Sequence, residues 1–161
     1  MKHLKLPGYA YFLTTRLANG LQIFKDEICC QLLVKELIYL RKELNYQIYG
    51  YVIMPDHFHL VVQPSTGSDI SIIMNRMKGR SSFLINKYLE RTGKLWQKGY
   101  HDHVIRNGRD FEEKIQYIHN NPVKAKLVDY IEDYTFSSYR NYYLGDDSLI
   151  KIDIPVYSIS T

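Results

Sequence analysis

Cysteine is nearly absent. The chain of 161 residues carries two, Cys29 and Cys30, side by side. Adjacent thiols cannot form a long-range disulfide framework within one chain, and no Cys-x-x-Cys pair is present to seed a zinc site. This excludes the small disulfide-stapled scaffolds and fits a reducing compartment. Long apolar runs are also missing. No stretch approaches the ~18 consecutive apolar residues of a membrane-spanning helix, and Met1 to Pro7 lacks the apolar core of a secretory leader. The expectation is a cytoplasmic protein without a membrane partner. There is no internal repeat, low-complexity tract or interdomain linker. That leaves a single domain over residues 1–161, with a core over about 8–145 and a C-terminal tail over 146–161.

Hydrophobic residues make up 45% of the chain and charged residues 24%, enough apolar material for one sizeable core. The formal charge of +4 and a pI near 8.9 permit a polyanionic partner without requiring one. Tyrosine is abundant, with fifteen copies. Rings interleaved with Lys and Arg suit stacking on unpaired bases. For any single tyrosine, packing at the edge of the core is the simpler reading.

Tyr9 to Arg16, rich in aromatic and β-branched residues, predicts strand one, broken by Asn19-Gly20. Asp26 is a candidate N-cap for helix one, in which Ile28, Leu32, Leu33, Leu37, Leu40 and Leu44 recur at helical spacing. Tyr46 to Met54 and His57 to Gln63 predict two strands in an antiparallel hairpin. Helix two is expected over Ile70 to Leu89, capped by Ser68 or Asp69, with Ile72, Ile73, Met77, Phe83, Leu84 and Tyr88 as its apolar positions and a candidate kink at Gly79. Strand four runs from Tyr100 to Arg106. Helix three spans Phe111 to Asn120 and stops at Asn121-Pro122. A short helical piece follows near Pro122 to Leu127, then a last helix over Tyr134 to Leu144 and an extended tail from Lys151 to Ile159. The order β-α-β-β-α-β followed by a helix is the split βαβ, ferredoxin-like pattern. The fold class is therefore α+β: an antiparallel sheet with helices on one face and an additional C-terminal helix.

The chemistry concentrates in His57-Phe58-His59, at the start of the third strand. Alternate residues of a strand share a face, so the two imidazoles stand side by side while Phe58 points the other way. Two neutral imidazoles on one rigid edge form half of a divalent-metal site. Asp56 either supports them or simply makes the turn. On helix three, Tyr117 and Asn121 are four apart and share a face. His119 lies about 200° around the helix from Tyr117, so a regular helix does not turn both to one site. A second pair, His101 and His103, shares a face of strand four. It reads either as a polar strand end or as a separate metal site. Trp96 and Tyr100 suit base stacking, or Trp96 anchors helix two on the core. Lys78, Arg80, Lys87, Arg91, Lys94 and Lys98 gather positive charge suited to phosphates, or form a solvated helix face.

Taken in order, His57-Phe58-His59, then Arg91-Thr-Gly-Lys-Leu-Trp96-Gln97, then Tyr117-Ile-His-Asn-Asn-Pro-Val-Lys-Ala-Lys-Leu-Val128, then Phe136-Ser-Ser-Tyr139 resemble the His-hydrophobic-His (HUH) tyrosine transposases of single-stranded DNA. The likeness is strongest to their REP-associated branch and runs from about Tyr9 to Gly145. It implies a ferredoxin-like fold and a divalent ion, Mg²⁺ or Mn²⁺, held by His57 and His59. It also implies that Tyr117 attacks a DNA phosphodiester to give a 5′-phosphotyrosine and a free 3′-hydroxyl. Where the family often carries a glutamine one turn after the tyrosine, this chain has Asn121. Asn121 is thus the candidate third ligand, with His119 as its rival. The implied partner is single-stranded or hairpin DNA, and a homodimer is consistent with the family.

A phenol is protonated at neutral pH, so its nucleophilicity has to come from position and from a nearby base or metal field. Two further function classes share these residues. One is a domesticated hairpin-DNA-binding protein without productive strand transfer. The other is a metal protein with no nucleic-acid partner, which would fail to bind single-stranded DNA.

Overall fold

Strand β1 (Ala10–Arg16) leads through α1 (Glu27–Leu44) to the hairpin of β2 (Gln47–Ile53) and β3 (His57–Gln63). Then come α2 (Ile70–Tyr88), β4 (His101–Ile105), α3 (Gly108–Lys124) and the short α4 (Tyr139–Leu144). The structure is a computed structural model and describes residues 8–155. The strands form one antiparallel sheet in the order β2-β3-β1-β4, the α+β split βαβ arrangement read from the sequence. The histidine-bearing strand β3 therefore lies inside the sheet, not at its edge.

Successive strand residues alternate between faces, and here both faces are apolar. On one, Leu13, Tyr51, Phe58 and Leu60 pack against Leu33 and Leu37 of α1 and Ile73 and Met77 of α2. On the other, Ala10, Val52, Val61 and Ile105 pack against Phe111, Ile115 and Ile118 of α3. The expectation of helices on one face thus holds for α1 and α2, while α3 covers the opposite face. Strands β2 and β3 are buried along almost their whole length, and strands of that kind need cover on both sides.

The caps of α1 and α2 are as expected: the Asp26 side chain accepts from the Ile28 N–H, and that of Asp69 from the Ile72 N–H. Helix α2 is continuous through Gly79. Its buried stripe differs from the predicted one. Ile70, Ile73, Met74, Met77, Ser81 and Ile85 face the core, whereas Ile72, Phe83 and Tyr88 are exposed. The reason lies at Ser81. Its hydroxyl accepts from Trp96 Nε1 at 2.9 Å, and the indole packs tilted on Phe24. Trp96 anchors α2 to the core and is not free to stack on bases.

Past β4 the chain departs further from the expectation. Helix α3 passes through Pro122 instead of stopping before it. The proline falls in the last turn, so it forfeits one helical hydrogen bond. A Schellman closure then ends the helix: Leu127 N–H donates to Pro122 O and Lys126 N–H to Val123 O, both at 2.9 Å, with Lys126 left-handed at φ 60°. The last helix begins only at Tyr139. Before it, Phe136 to Ser138 run along the edge strand β2, with Ile53 N–H donating to Phe136 O and Ser138 N–H to Tyr51 O. Farther along β2, Asp153 N–H donates to Ile48 O. These additions cover an edge that would otherwise be free to pair with another chain. The extended tail expected over Lys151 to Ile159 is described as far as Pro155; the rest of it lies outside the described residues.

Gly50 sets how closely α3 approaches the sheet. It sits at a register shift in β2, and a Cβ there would lie 2.6 Å from Ile115 Cδ1 and 3.0 Å from Ile118 Cδ1. Gly50→Ala is expected to push α3 outward, at a cost of about 1–3 kcal/mol as for other overpacked cores. Urea unfolding measures that cost, and an unchanged midpoint would show that α3 is not pinned there.

Candidate active site on strand β3 and helix α3

His57 and His59 project from β3 toward α3, with ring centroids 4.8 Å apart. Across the ladder, Arg16 stands opposite His57 and Thr14 opposite His59. Each imidazole is fixed through Nδ1. Asp56 Oδ1 accepts from His57 Nδ1 at 2.6 Å, so that nitrogen carries the proton and Nε2 keeps its lone pair. Thr14 Oγ1 lies 2.8 Å from His59 Nδ1. His59 is only 3% exposed, and its Nε2 is buried with no hydrogen-bond partner. An unsatisfied buried nitrogen is costly, and a histidine held at one nitrogen with the other free is the usual posture of a metal ligand.

The electrostatics agree. Burial lowers the His57 pKa and outweighs the adjacent carboxylate. Burial, with smaller contributions from His57 and Arg16, pushes His59 down to about 3. Both rings are therefore neutral near pH 7, the form that binds metals. Among the described residues, no group of three His, Cys, Asp or Glu side chains gathers to hold an ion.

Helix α3 begins at the Asn107 cap, whose side chain accepts from the Asp110 N–H. Its core residues Phe111, Ile115 and Ile118 fix its rotation on the sheet. Tyr117 falls off that stripe and is 47% exposed, with its ring edge-on to His59 at 5.6 Å. Phe12 completes the group, stacked on His59 at 5.2 Å and edge-on to Tyr117 at 6.0 Å. Asn121 lies one turn farther along α3 and is half-buried.

His119 turns elsewhere, as its angular position predicts. It is buried among the rings of Tyr139, Tyr142 and Tyr143 of α4. Ser138 Oγ lies 2.8 Å from its Nε2 and accepts from the Tyr51 N–H. The two atoms share one hydrogen bond, whose donor is set by the ring's tautomer. Burial pushes its pKa down to about 4. Below pH 6.5 the unfolded chain takes up a proton there that the folded chain refuses. Stability is therefore lost as pH falls from about 6.5 toward 4, with His119 contributing about 2 kcal/mol between pH 7 and pH 5. Urea denaturation at the two pH values, in the parent and in His119→Gln, measures that share; equal pH dependence in both would exclude it.

A sequence model described as "Transposase IS200 like" matches residues 9–121, more than half of the chain. The chain belongs to the IS200-like transposase family. It is 26% identical over 138 residues to the REP-associated tyrosine transposase of Escherichia coli K12, spanning 83% of this chain and 78% of that protein. Its fold is similar to that of a solved REP-associated tyrosine transposase bound to a REP hairpin, with a TM-score of 0.78 and 24% identity over 96% of this chain and 98% of that one. The α+β assignment and the reading as a single-strand DNA tyrosine transposase are thereby supported.

In this transposase Tyr100 and Tyr139, which also stand in the matched motifs or beside them, are engaged on other surfaces. Tyr100 is buried, with its hydroxyl 3.1 Å from Ser71 Oγ of α2. Tyr139 packs on His119. Of the second histidine pair, His103 serves the scaffold: its Nε2 lies 2.8 Å from Asp110 Oδ2, tying β4 to the first turn of α3, while His101 is exposed. The basic residues around α2 divide. Lys78 is spent on the carbonyls of Gln97 and Gly99, Arg80 on Glu36 and the face of Tyr39, and Arg91 on Asn86. Lys87, Lys94 and Lys98 are exposed. Phe12, Thr14 and Arg16 surround the histidine pair and were not singled out from the sequence. Their places depend on cross-strand register, which a local motif does not encode.

Proposed function

We propose that this transposase cleaves and rejoins single-stranded DNA through a covalent tyrosine ester, with Tyr117 as nucleophile. In this reading His57, His59 and Asn121 hold a divalent cation. The observation that carries it is the exposed Tyr117 ring 5.6 Å from a histidine whose buried Nε2 has no partner. Two imidazole nitrogens favour Mn²⁺ over the harder Mg²⁺, and the amide oxygen suits either ion. A cation bound there would polarise the scissile phosphate as a Lewis acid.

The residues of the chain supply the rest. Packing of Phe111, Ile115 and Ile118 holds α3 so that the phenol stands beside the histidine pair, which is the positioning that phosphoryl transfer requires. The Tyr117 oxygen attacks phosphorus, the bond to the 3′-oxygen breaks, and the DNA leaves with a free 3′-hydroxyl while its 5′-phosphate stays on the tyrosine. The phenol proton passes to solvent, which reaches the half-exposed ring, and the departing 3′-oxygen takes a proton from the same solvent. Attack by a 3′-hydroxyl on the phosphotyrosine reverses the step without a nucleotide cofactor, because the ester conserves the bond. His59 and Tyr117 come from one chain, so a homodimer would duplicate the site rather than complete it. The relative solved with a REP hairpin favours hairpin DNA as the substrate, and a cytoplasmic location follows from that substrate.

The test is a denaturing gel of the protein incubated with labelled oligonucleotides and Mn²⁺. A covalent adduct is expected, and its absence on every single-stranded and hairpin substrate would leave only a binding protein. Salt gives a second check. With about three to four phosphates neutralised, affinity should fall roughly thirtyfold between about 50 and 200 mM salt. A flat dependence would remove the exposed Lys87, Lys94, Lys98 and Arg16 from the interface.

A further inference from the structure

Arg16 is the last residue of β1. In the β1–β3 ladder it stands directly opposite His57, as Thr14 stands opposite His59. Residues opposite one another in an antiparallel pair share a face, with Cβ atoms about 4.5–5.5 Å apart. Arg16 therefore leaves the sheet on the side of the two histidines and Tyr117. Its other flank is open, because β4 pairs with β1 only from Ala10 to Thr14.

The backbone of Arg16 is pinned while its head is free. Gln97 N–H donates to Arg16 O at 2.8 Å, and Leu17 N–H donates to Asp56 O at 2.9 Å. Leu17 is also bridged to Trp96, whose indole is tied to Ser81 of α2. The root of the side chain is thus held from both sides. The guanidinium is exposed and has no hydrogen-bond or ion-pair partner among the described residues. Asp56, whose carbonyl bonds to the next residue, turns its carboxylate to His57 instead. Arg80 and Arg91, by contrast, are each bonded to a side chain, Glu36 and Asn86. The Arg16 charge reaches the site: after burial, the main influence on both histidines, it is a smaller one on each.

We propose that Arg16 is a catalytic residue that grips the non-bridging oxygens of the scissile phosphate and stabilises the charge they carry in the transition state. The inference rests on the proposed function and adds a second positive centre to it. As the Tyr117 oxygen attacks and the bond to the 3′-oxygen stretches, negative charge is spread over the phosphoryl oxygens. The guanidinium fork matches two such oxygens. The phosphate that meets the histidine site from β3 meets Arg16 from β1. Arg16 donates hydrogen bonds only and keeps its proton, so the atoms of the step balance as before. Its fixed root makes the donor preorganised, and losing one such donor typically costs a factor of about 10²–10³ in rate.

The experiment compares the parent, Arg16→Ala and Arg16→Lys in single-turnover adduct formation on one labelled oligonucleotide with Mn²⁺. Affinity for the same oligonucleotide is titrated with Tyr117→Phe added to each. Arg16→Ala is expected to lower the maximal rate about 100-fold and DNA affinity by only about threefold, since one cation among several is lost. Arg16→Lys keeps the charge and the aliphatic stem, so it folds even if Arg16→Ala does not, and it should lose about tenfold for want of the fork. Guanidinium chloride at a non-denaturing concentration should restore part of the rate to Arg16→Ala and none to the parent, a response that a structural role would not give. Mn²⁺ affinity should hold or rise in Arg16→Ala, because a like charge has been removed. A parental rate in Arg16→Ala overturns the assignment. So does a loss confined to DNA affinity, or a fall in Mn²⁺ affinity large enough to account for the lost rate. No adduct from the parent removes the proposed function and this role with it. An adduct formed at the parental rate by Arg16→Ala removes this role alone.

Discussion

Tyr117→Phe is expected to abolish the protein–DNA adduct, lowering cleavage by more than about a thousandfold, as loss of a covalent nucleophile does. The substitution removes one oxygen. The ring keeps its edge contacts with His59 and Phe12, and a side chain that is 47% exposed has little packing to lose. Stability should stay within about 0.5 kcal/mol of the parent, the usual range for surface changes, and affinity for metal and DNA should be retained. Thermal melting, Mn²⁺ calorimetry and a denaturing gel with end-labelled DNA separate these quantities. An adduct that survives in Tyr117→Phe would move the nucleophile, and peptide mapping would then find it. Tyr100 would have to leave its buried place beside Ser71 to react, and Tyr139 its edge-on contact with His119.

The local grammar of the chain was readable because each signal lies within a few residues. Asp26 and Asp69 cap the helices they precede, and the His57-to-Gln63 strand appears with the bounds read from its hydrophobic run. The same holds for the opposite bearings of Tyr117 and His119, which follow from the helical period alone. What could not be read is set by contacts between distant segments. Ser81 is a core position only because Trp96 bonds to it. Pro122 stays helical because a closure five residues later ends the helix. Phe136 to Ser138 look helical in composition, yet an open strand edge takes them. In the candidate site the two histidines were legible, but their supports were not. Thr14 reaches His59 through the β1–β3 register, 45 residues away in sequence.

That register also changes what removing each histidine should do. Imidazoles on a strand edge near solvent could be cut to alanine with little structural cost. β3 is instead an inner strand, and the two differ. His59→Ala would strip the stack on Phe12, strand the Thr14 hydroxyl and open a cavity in a nearly closed place. A loss of about 2–4 kcal/mol is expected there, so lost activity in that variant would be ambiguous alone. His57 is the sharper probe. It is held by Asp56 at the sequence-adjacent turn and meets His59 edge-on, so His57→Ala should cost only about 1 kcal/mol. Its Mn²⁺ affinity should nevertheless fall by more than the ~10–100-fold typical when a ligand's supporting partner is lost, and cleavage should fall with it. Titration calorimetry on His57→Ala, with urea unfolding on the same sample, tests both halves. Unchanged Mn²⁺ affinity in a folded His57→Ala protein would remove the metal from this face of the sheet.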